Sequence, residues 1–201
     1  MANASINRKT KSTIDFYKTP TWVTEAFLKA HPLVTKRPIL EPCVGSGAIA
    51  KVLEGQGHKV VGTDIRNDRD VLGYRTINAI TEDFSLYDRF DYVMTNPPFK
   101  VAQAMIDNLI QFAERELIIF HRLAFLETSK RSRWLKNNKW LKKVYVLGDR
   151  AMLIDELDED YLLGTKEPSD SGSAVAYAWY VFDRNHKGPV ELDWIFKQEE
   201  I

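Results

Sequence analysis

The chain turns a sharp corner within the segment Phe90-Asp91-Tyr92-Val93-Met94-Thr95-Asn96-Pro97-Pro98-Phe99. The aromatic and β-branched residues before Asn96 predict a buried strand. Two prolines follow, which fix two φ angles, remove two N–H donors and keep Asn96 out of the helical region. The segment therefore predicts a rigid turn at a strand end, which displays an amide side chain and the ring of Phe99. Ligands of open α/β sheets bind at the carboxyl ends of strands.

This turn suits one chemistry, the methylation of a planar exocyclic amine. The lone pair of such an amine is delocalised into its ring, so the nitrogen is a poor nucleophile. The side-chain carbonyl of Asn96 and the backbone carbonyl of Pro97 can each accept one N–H of the amine, which draws the nitrogen towards tetrahedral geometry. Phe99 can stack on the base. Pro-Pro alone would indicate only a turn between a strand and a helix.

A second ligand-binding turn is predicted upstream, in Pro38-Ile39-Leu40-Glu41-Pro42-Cys43-Val44-Gly45-Ser46-Gly47. A short apolar strand ends at an acid, and a Gly-Ser-Gly turn leads into a helix at residues 48–54. The glycines allow the backbone to approach a ligand closely. The pattern is not the Gly-x-Gly-x-x-Gly of dinucleotide enzymes, and no phosphate-binding lysine follows it. The next strand ends at Asp64, 17 residues after Gly47, where an acid can accept ribose hydroxyls or simply cap the strand.

Together these segments resemble the S-adenosylmethionine-dependent amino-methyltransferases, particularly those that act on N6 of adenine in DNA. Asn96, Pro97, Pro98 and Phe99 match the catalytic signature of that family. The motif order resembles that of the gamma-type adenine enzymes. The resemblance implies S-adenosylmethionine as the cofactor, bound by Tyr17, Thr19, Pro20, Glu41, Pro42, Gly45, Ser46, Gly47, Asp64, Ile65, Asp83, Phe84 and Asn96.

The resemblance also assigns roles within this set. The segment Tyr17-Lys18-Thr19-Pro20 would close over the methionine end of the cofactor, and Glu41 would face the ammonium group of the cofactor. Ile65 would pack on the adenine ring of the cofactor, and Asp83 would accept its amino group. Two plainer interpretations stay open: an ordinary capped helix start with Thr19 as the N-cap, and Asp83 as a helix N-cap.

Charge is segregated along the chain, although its 28 basic and 28 acidic residues give a formal net charge of zero. Seven basic residues and no acid lie between residues 130 and 143, interleaved with Trp134 and Trp140. Such a stretch fits phosphate contacts, although a charge run is often only a solvated face. The predicted partner is therefore nucleic acid, with DNA favoured over RNA by the resemblance alone.

The candidate substrate-binding residues are Phe99, Arg122, Lys130, Arg131, Arg133 and Tyr177. The run Arg122-Leu123-Ala124-Phe125-Leu126-Glu127 resembles small methyltransferases of phages and prophages. Tyr177, or else Trp179, would pack on the flipped base, with core packing as the alternative for both. His121 is interpreted as a structural or solvent-facing histidine rather than as a catalytic base.

The composition is that of an ordinary globular protein, with 44% hydrophobic residues. No apolar run approaches the roughly 20 residues that span a membrane. The single cysteine, Cys43, excludes an internal disulfide and is compatible with the cytoplasm of a bacterium or a phage-infected cell. The four histidines have no metal-ligand spacing, so no metal is expected.

The predicted fold is α/β, a Rossmann-like class I methyltransferase domain. Its seven-stranded, mostly parallel sheet would have one antiparallel strand and helices on both faces. Residues 1–14 are predicted to be a flexible arm and residues 15–201 a single domain, with a mobile loop at residues 149–173 as a lid over the target base. Predicted elements include a helix at residues 101–114 and a strand at residues 117–120. No separate target-recognition domain is expected, which favours relaxed or short-site specificity, or recognition by a partner.

Three other functions stay open at this point. The same turn serves enzymes that methylate adenine or guanine in RNA, and others that methylate a glutamine amide in protein. A non-enzymatic S-adenosylmethionine-binding phage factor is the third alternative, although a binder has no reason to keep Asn96. A cytosine methyltransferase with a cysteine nucleophile is disfavoured, because Cys43 lies in the predicted cofactor turn.

Overall fold

A single mostly parallel β-sheet forms the centre of the protein in the computed structural model, which describes residues 17–66, 75–87, 89–155 and 175–197. The strands are β1 (Tyr17–Lys18), β2 (Ile39–Glu41), β3 (Val60–Asp64), β4 (Arg75–Thr76), β5 (Phe90–Thr95), β6 (Ala113–Arg122), β7 (Leu141–Leu147), β8 (Ile154–Asp155), β9 (Tyr177–Phe182) and β10 (Glu191–Ile195). The helices are α1 (Thr21–Ala30), α2 (Ala48–Gly55), α3 (Ala102–Leu109) and α4 (Ser129–Asn138), with 3₁₀ turns at Phe84–Leu86 and Leu123–Leu126.

The sheet has the strand order β10-β7-β9-β6-β5-β2-β3-β4. β9 is antiparallel to both β6 and β7, whereas the other neighbours are parallel. Seven of these strands have three or more residues, and the two-residue β4 extends one edge. The predicted class, a mostly parallel sheet with one antiparallel strand, is confirmed. A separate antiparallel pair joins β1 to β8.

Alternation along the strands gives the sheet two apolar faces. Ile118 and Phe120 belong to the core that α1 and α2 cover, whereas Leu117 and Ile119 belong to the core that α3 covers. Successive side chains of a strand point to opposite faces, so a strand buried on both sides reads as a continuous apolar run. The predicted helices on both faces are confirmed. No described helix is long and apolar enough to cross a membrane.

One predicted boundary is wrong. The helix predicted at residues 101–114 ends at Leu109, and the strand predicted at residues 117–120 already begins at Ala113. The amide of Phe112 donates to the carbonyl of Leu109 at 3.0 Å, which closes a turn. Ala113 then pairs with Phe90, so the strand runs beside the full length of β5. Tertiary pairing thus overrides the helix-favouring residues that follow Phe112.

The arm predicted at residues 1–14 lies outside the described residues, and so does most of the lid predicted at residues 149–173. In the described part, Ala151 is buried and β8 pairs with β1, so the chain after β7 returns to the N-terminal segment. The mobile loop stays a prediction.

A polar network ties the end of α1 to the sheet. His31 Nε2 lies 2.7 Å from Glu116 Oε2, and His31 Nδ1 lies 3.0 Å from the hydroxyl oxygen of Tyr145. Lys142 Nζ donates to Glu116 Oε1 at 2.8 Å. Burial raises the pKa of Glu116, but the hydrogen bonds from His31 and Lys142 outweigh burial and hold the pKa below its usual value. The ionised carboxylate therefore stabilises the folded state.

Glu116→Gln is expected to lower the free energy of unfolding at neutral pH by about 1–3 kcal/mol, because Lys142 and His31 lose a charged acceptor. A depressed folded-state pKa gives stability that is present above the unfolded value of 4.5 and is lost as the pH falls through the folded value. The stabilities of the two proteins should therefore converge in acid. Urea denaturation followed by circular dichroism across this pH range measures the difference. Glu114→Gln, an exposed change on the same strand, is the control, and a difference that does not depend on pH would contradict the prediction.

Candidate functional site

The strand order reverses direction at β2, which lies between β3 and β5. Such a switch point is where open α/β sheets bind ligands. A cavity of about 310 Å³ lies there, and its lining includes Glu41, Asp64 and Asn96, at the carboxyl ends of β2, β3 and β5. The structure thus brings the predicted cofactor turn and the predicted catalytic turn to one cavity.

The turn after β2 depends on two glycines. Gly45 has φ 50° and Gly47 has φ 76°, a region that favours glycine because it has no Cβ. Gly45, Ser46 and Pro42 line the cavity, whereas Gly47 takes the N-cap position of α2 behind them. The turn is fixed to the next strand, because the amide of Gly45 donates to Asp64 Oδ2 at 3.0 Å.

Glu41 is a buried carboxylate at the cavity wall, with 1% of its surface exposed. Burial raises its pKa, and a hydrogen bond with the backbone of Ala50 acts in the opposite direction. Oε2 has no hydrogen-bond partner among the described residues. A buried acceptor without a partner is costly unless a ligand satisfies it. The site therefore fits a ligand with a cationic donor, such as an ammonium group.

Asp64 is buried at the end of β3 and already accepts three hydrogen bonds. Besides the Gly45 bond to Oδ2, Oδ1 accepts from the backbone amide of Arg66 at 2.9 Å and from Arg66 Nε at 3.3 Å. A carboxylate has about four acceptor positions, so one ribose hydroxyl can be added without displacing Arg66. The two sequence interpretations of Asp64, a cap and a ribose acceptor, are therefore compatible. Ile65 lies beside it on the cavity wall, with 61% of its surface exposed.

The prediction that Thr19 caps α1 is wrong. Pro20 takes the N-cap position, and no side-chain cap is formed. Thr19 is instead buried, and its Oγ1 accepts a hydrogen bond from Asn96 Nδ2 at 3.0 Å. Pro20 lies outside the cavity lining and accepts from the amide of Val23 through its carbonyl. The N-terminal segment therefore contacts the predicted catalytic turn directly.

The amide of Asn96 has a defined orientation. Nδ2 donates to the backbone carbonyl of Tyr17 and to Thr19 Oγ1, both at 3.0 Å. A backbone carbonyl only accepts, so a flipped amide would place two acceptors against each other. Oδ1 is left to accept hydrogen bonds from a ligand. Pro97 is buried beneath the turn, and Pro98 lines the cavity while its carbonyl accepts from the amide of Val101 at 3.1 Å.

Phe99 is packed among aromatic and basic side chains. The ring of Tyr17 is stacked on it at 5.7 Å, Arg122 Cζ lies 4.3 Å from its centre, and His121 meets it at 4.9 Å. His121 is buried, and burial lowers its pKa to about 4. The imidazole is therefore neutral near neutral pH, with one N–H to donate. Its Nε2 lies 3.3 Å from the carbonyl oxygen of Phe99, which agrees with the structural interpretation of this histidine.

Asp83 and Phe84 lie away from the cavity lining. Asp83 Oδ1 accepts from the amide and hydroxyl of Ser85, which makes it the N-cap of a 3₁₀ turn, the plainer of its two interpretations. Phe84 is buried in the core on the α3 face. Asn78 and Ile80 line the cavity in their place. No sequence motif predicted this pair, and the only signal for Asn78 and Ile80 is that they follow β4 closely.

The two aromatic candidates on β9 differ. Trp179 is fully buried, and its Nε1 donates to the carbonyl of Val23 at 3.1 Å, which supports its core interpretation. Tyr177 pairs with Arg122 across the sheet and lies 6.3 Å from Phe99, ring centre to ring centre. Tyr177 is 5% exposed and is also stacked on Phe120, so it lies within the core and next to the predicted catalytic turn.

The basic stretch divides into two groups. Lys130, Arg131 and Arg133 lie on α4, of which no residue is buried. Arg131 Cζ lies 4.4 Å from the ring centre of Phe125, in the 3₁₀ turn that follows β6. Lys142 and Lys143 are instead paired with acids of the sheet. Within this stretch, the α4 group and Lys139, which is exposed at the C-cap of α4, therefore offer charge to a partner.

Cys43 lines the cavity, with Sγ 3.9 Å from Met105 Sδ. Burial raises the pKa of its thiol, and the nearby Asp64 raises it further, so the thiol stays protonated. Among the residues that the structure describes, no cluster of His, Cys, Asp and Glu has the arrangement of a metal site.

Solved structures with a similar fold include methyltransferases. A Listeria monocytogenes protein assigned to the class I S-adenosylmethionine-dependent methyltransferases has a TM-score of 0.59 and 15% identity, over 92% of this chain and 68% of its own. A protein assigned as the modification subunit of a type I restriction enzyme from Vibrio vulnificus YJ016 has a TM-score of 0.55 and 14% identity, over 87% and 45%. A dimethyladenosine transferase from Plasmodium falciparum has a TM-score of 0.53 and 18% identity, over 84% and 62%.

These likenesses define the fold as the class I, Rossmann-like methyltransferase fold. The chain spans about half the length of the Vibrio subunit and under two thirds of the Plasmodium enzyme. No protein-family model matches the chain, and no curated protein matches its sequence.

Proposed function

We propose that this protein transfers a methyl group from S-adenosylmethionine to the exocyclic N6 amine of adenine in DNA, with relaxed or short-site specificity. The orientation of the Asn96 amide carries the proposal. Because Tyr17 and Thr19 hold Nδ2, Oδ1 is left to accept one N–H of the target amine. The carbonyl of Pro97 would accept the second N–H, and the amine lone pair would then point at the methyl group.

The cavity has the features that the cofactor needs. S-adenosylmethionine supplies an electrophilic methyl group on a positively charged sulfonium. Glu41 offers a buried carboxylate oxygen without a partner to its ammonium group. The turn at Gly45 admits the methionine part, and the exposed face of Ile65 is available to the adenine ring. The volume of about 310 Å³ lies at the lower end of the range typical of small-molecule pockets.

The transfer is proposed to be direct, without a covalent enzyme intermediate. The only thiol of the chain, Cys43, is held protonated against Met105. The amine of adenine cannot be reached inside a duplex, so the base has to leave the stack. Phe99 and Tyr177, whose ring centre lies 6.3 Å from that of Phe99, would contact the extrahelical base.

Nucleic acid is favoured over protein as the substrate. The exposed basic residues of α4 follow β6, whose end carries Arg122 beside the catalytic turn. A polyanion would pass this surface on its way to Asn96. Two of the structural neighbours are named as the modification subunit of a type I restriction enzyme and as a dimethyladenosine transferase. The first name favours DNA as the substrate, and the second favours adenosine.

Incubation of the protein with methyl-labelled cofactor is expected to place label in unmethylated DNA as N6-methyldeoxyadenosine. RNA and a mixture of unfolded proteins, offered in parallel, should take up much less label. Digestion to nucleosides followed by mass spectrometry identifies the product. Label found only in RNA or only in a glutamine side chain would replace the proposal with one of those activities. Cofactor binding without transfer to any polymer would indicate a binding factor.

A further inference from the structure

The ring of Phe99, on which the target base would stack, is already covered. Arg122 Cζ lies 4.3 Å from its centre, and the ring of Tyr17 is stacked at 5.7 Å with 17° between the planes. A planar base therefore has to displace one of these two groups. Tyr17 belongs to β1, which pairs with β8, and its carbonyl holds Asn96. Arg122 is the group that can leave, because its guanidinium is on a long side chain that can rotate without moving the backbone.

Arg122 is an incompletely satisfied cation. Its Nε is buried and has no hydrogen-bond partner among the described residues, and its guanidinium forms no ion pair with them. A guanidinium presents planar, paired donors that match a phosphate group. A phosphate beside the catalytic turn would therefore satisfy donors that Phe99 leaves unpaired.

Two further cations, Lys18 and Lys100, line the cavity at Asn96, whereas Arg122 lies outside that lining, on the ring of Phe99. Lys18 lies between Tyr17 and Thr19, the two residues that hold the Asn96 amide, and Lys100 directly follows Phe99. Both lysines are exposed, and neither forms an ion pair in the part of the chain that the structure describes. Glu41 and Asp64, the acids of the cavity lining, are buried. Among the described residues of the cavity lining, the exposed charge that an approaching strand meets is therefore positive.

We propose that Lys18, Lys100 and Arg122 form a phosphate collar, which holds the backbone on either side of the extrahelical nucleotide. Arg122 joins the collar only after the base has displaced it from Phe99. This inference rests on the proposed function, because it needs an extrahelical base at Asn96. It adds a second set of contacts to those of α4 and assigns the collar to the nucleotide that reacts.

The salt dependence of binding tests the collar without turnover. Fluorescence anisotropy would measure the affinity for labelled single-stranded oligodeoxyadenylate and for an abasic strand of equal length, with S-adenosylhomocysteine present. A plot of log affinity against log salt concentration has a negative slope, and each lost phosphate contact should make that slope less steep by about 0.7. Lys18→Ala and Lys100→Ala should do so on both strands. Arg122→Ala should do so on oligodeoxyadenylate alone, because an abasic strand leaves the guanidinium on Phe99.

Lys59→Ala is the matched control, since Lys59 is exposed directly before β3, at the end of that strand opposite to the cavity. It should leave both slopes unchanged. Arg122→Lys keeps the charge, so its slope on oligodeoxyadenylate should equal that of the wild-type protein. Thermal denaturation of each variant shows whether Arg122→Ala perturbs the fold. Unchanged slopes in all three alanine variants would overturn the collar even if the wild-type protein methylates DNA. An equal effect of Arg122→Ala on both strands would overturn the displacement step. Failure of the wild-type protein to transfer label to DNA tests the proposed function separately.

Discussion

Replacing Asn96 with alanine is expected to lower kcat for methyl transfer by about 10²–10³-fold, the cost typical of removing one positioned hydrogen-bonding group from a transition state. The amide oxygen is the group that would accept the amine N–H, and alanine has no such acceptor. Affinity for DNA should change little, because the proposed collar and α4 would carry the phosphate contacts. Single-turnover kinetics with labelled cofactor would separate the transfer step from binding.

Two controls make this result specific. Thr19→Val removes one acceptor of Nδ2 but keeps the carbonyl of Tyr17, so the amide should stay oriented and kcat should fall much less. Asn108→Ala removes an amide that also donates to two acceptors, the carbonyls of Ala79 and Glu82, at 3.0 Å each. It should lower thermal stability without a comparable loss of kcat. Equal losses in Asn96→Ala and Asn108→Ala would mean that Asn96 acts through the fold alone.

Glu41→Gln is expected to change stability and cofactor affinity in opposite directions. Burial raises the pKa of Glu41, so its ionised form destabilises the free protein near neutral pH. A folded-state pKa above the unfolded value means that stability is gained as the pH falls and lost as it rises through the folded value. The neutral amide removes this cost, so the Tm of the free variant should rise. Cofactor affinity should fall by roughly 30-fold or more, about 2 kcal/mol, because the ammonium group loses its charged partner.

Calorimetric titration with S-adenosylhomocysteine, which keeps the ammonium group, and thermal denaturation measure the two effects. Glu25→Gln, an exposed change on α1, should alter neither quantity. The opposite signs separate a binding role from a structural one. A variant that loses both stability and affinity would show that Glu41 supports the fold rather than the ligand.

The fold could be predicted well from the sequence because its decisive signals are local. Prolines after β5, glycines after β2 and continuous apolar runs each restrict the backbone within a few residues. These signals predicted β5, the turn after it and the class of sheet. The end of α3 was predicted wrongly, because the start of β6 at Ala113 depends on pairing with Phe90, a strand away. Local propensity carries no information about that partner.

The candidate site also combines features that local sequence patterns predict with features that depend on tertiary contacts. Sequence patterns alone predicted that Glu41, Asp64 and Asn96 lie at strand ends, and parallel strands then bring those ends together. Only the tertiary structure decided the orientation of the Asn96 amide, because its acceptors lie 77 and 79 residues earlier in the chain. It also kept Asp83 out of the cavity lining and placed Arg122 on the ring of Phe99. Backbone sterics act between neighbours in sequence, whereas hydrogen bonds and ring contacts join whatever the packed sheet brings together.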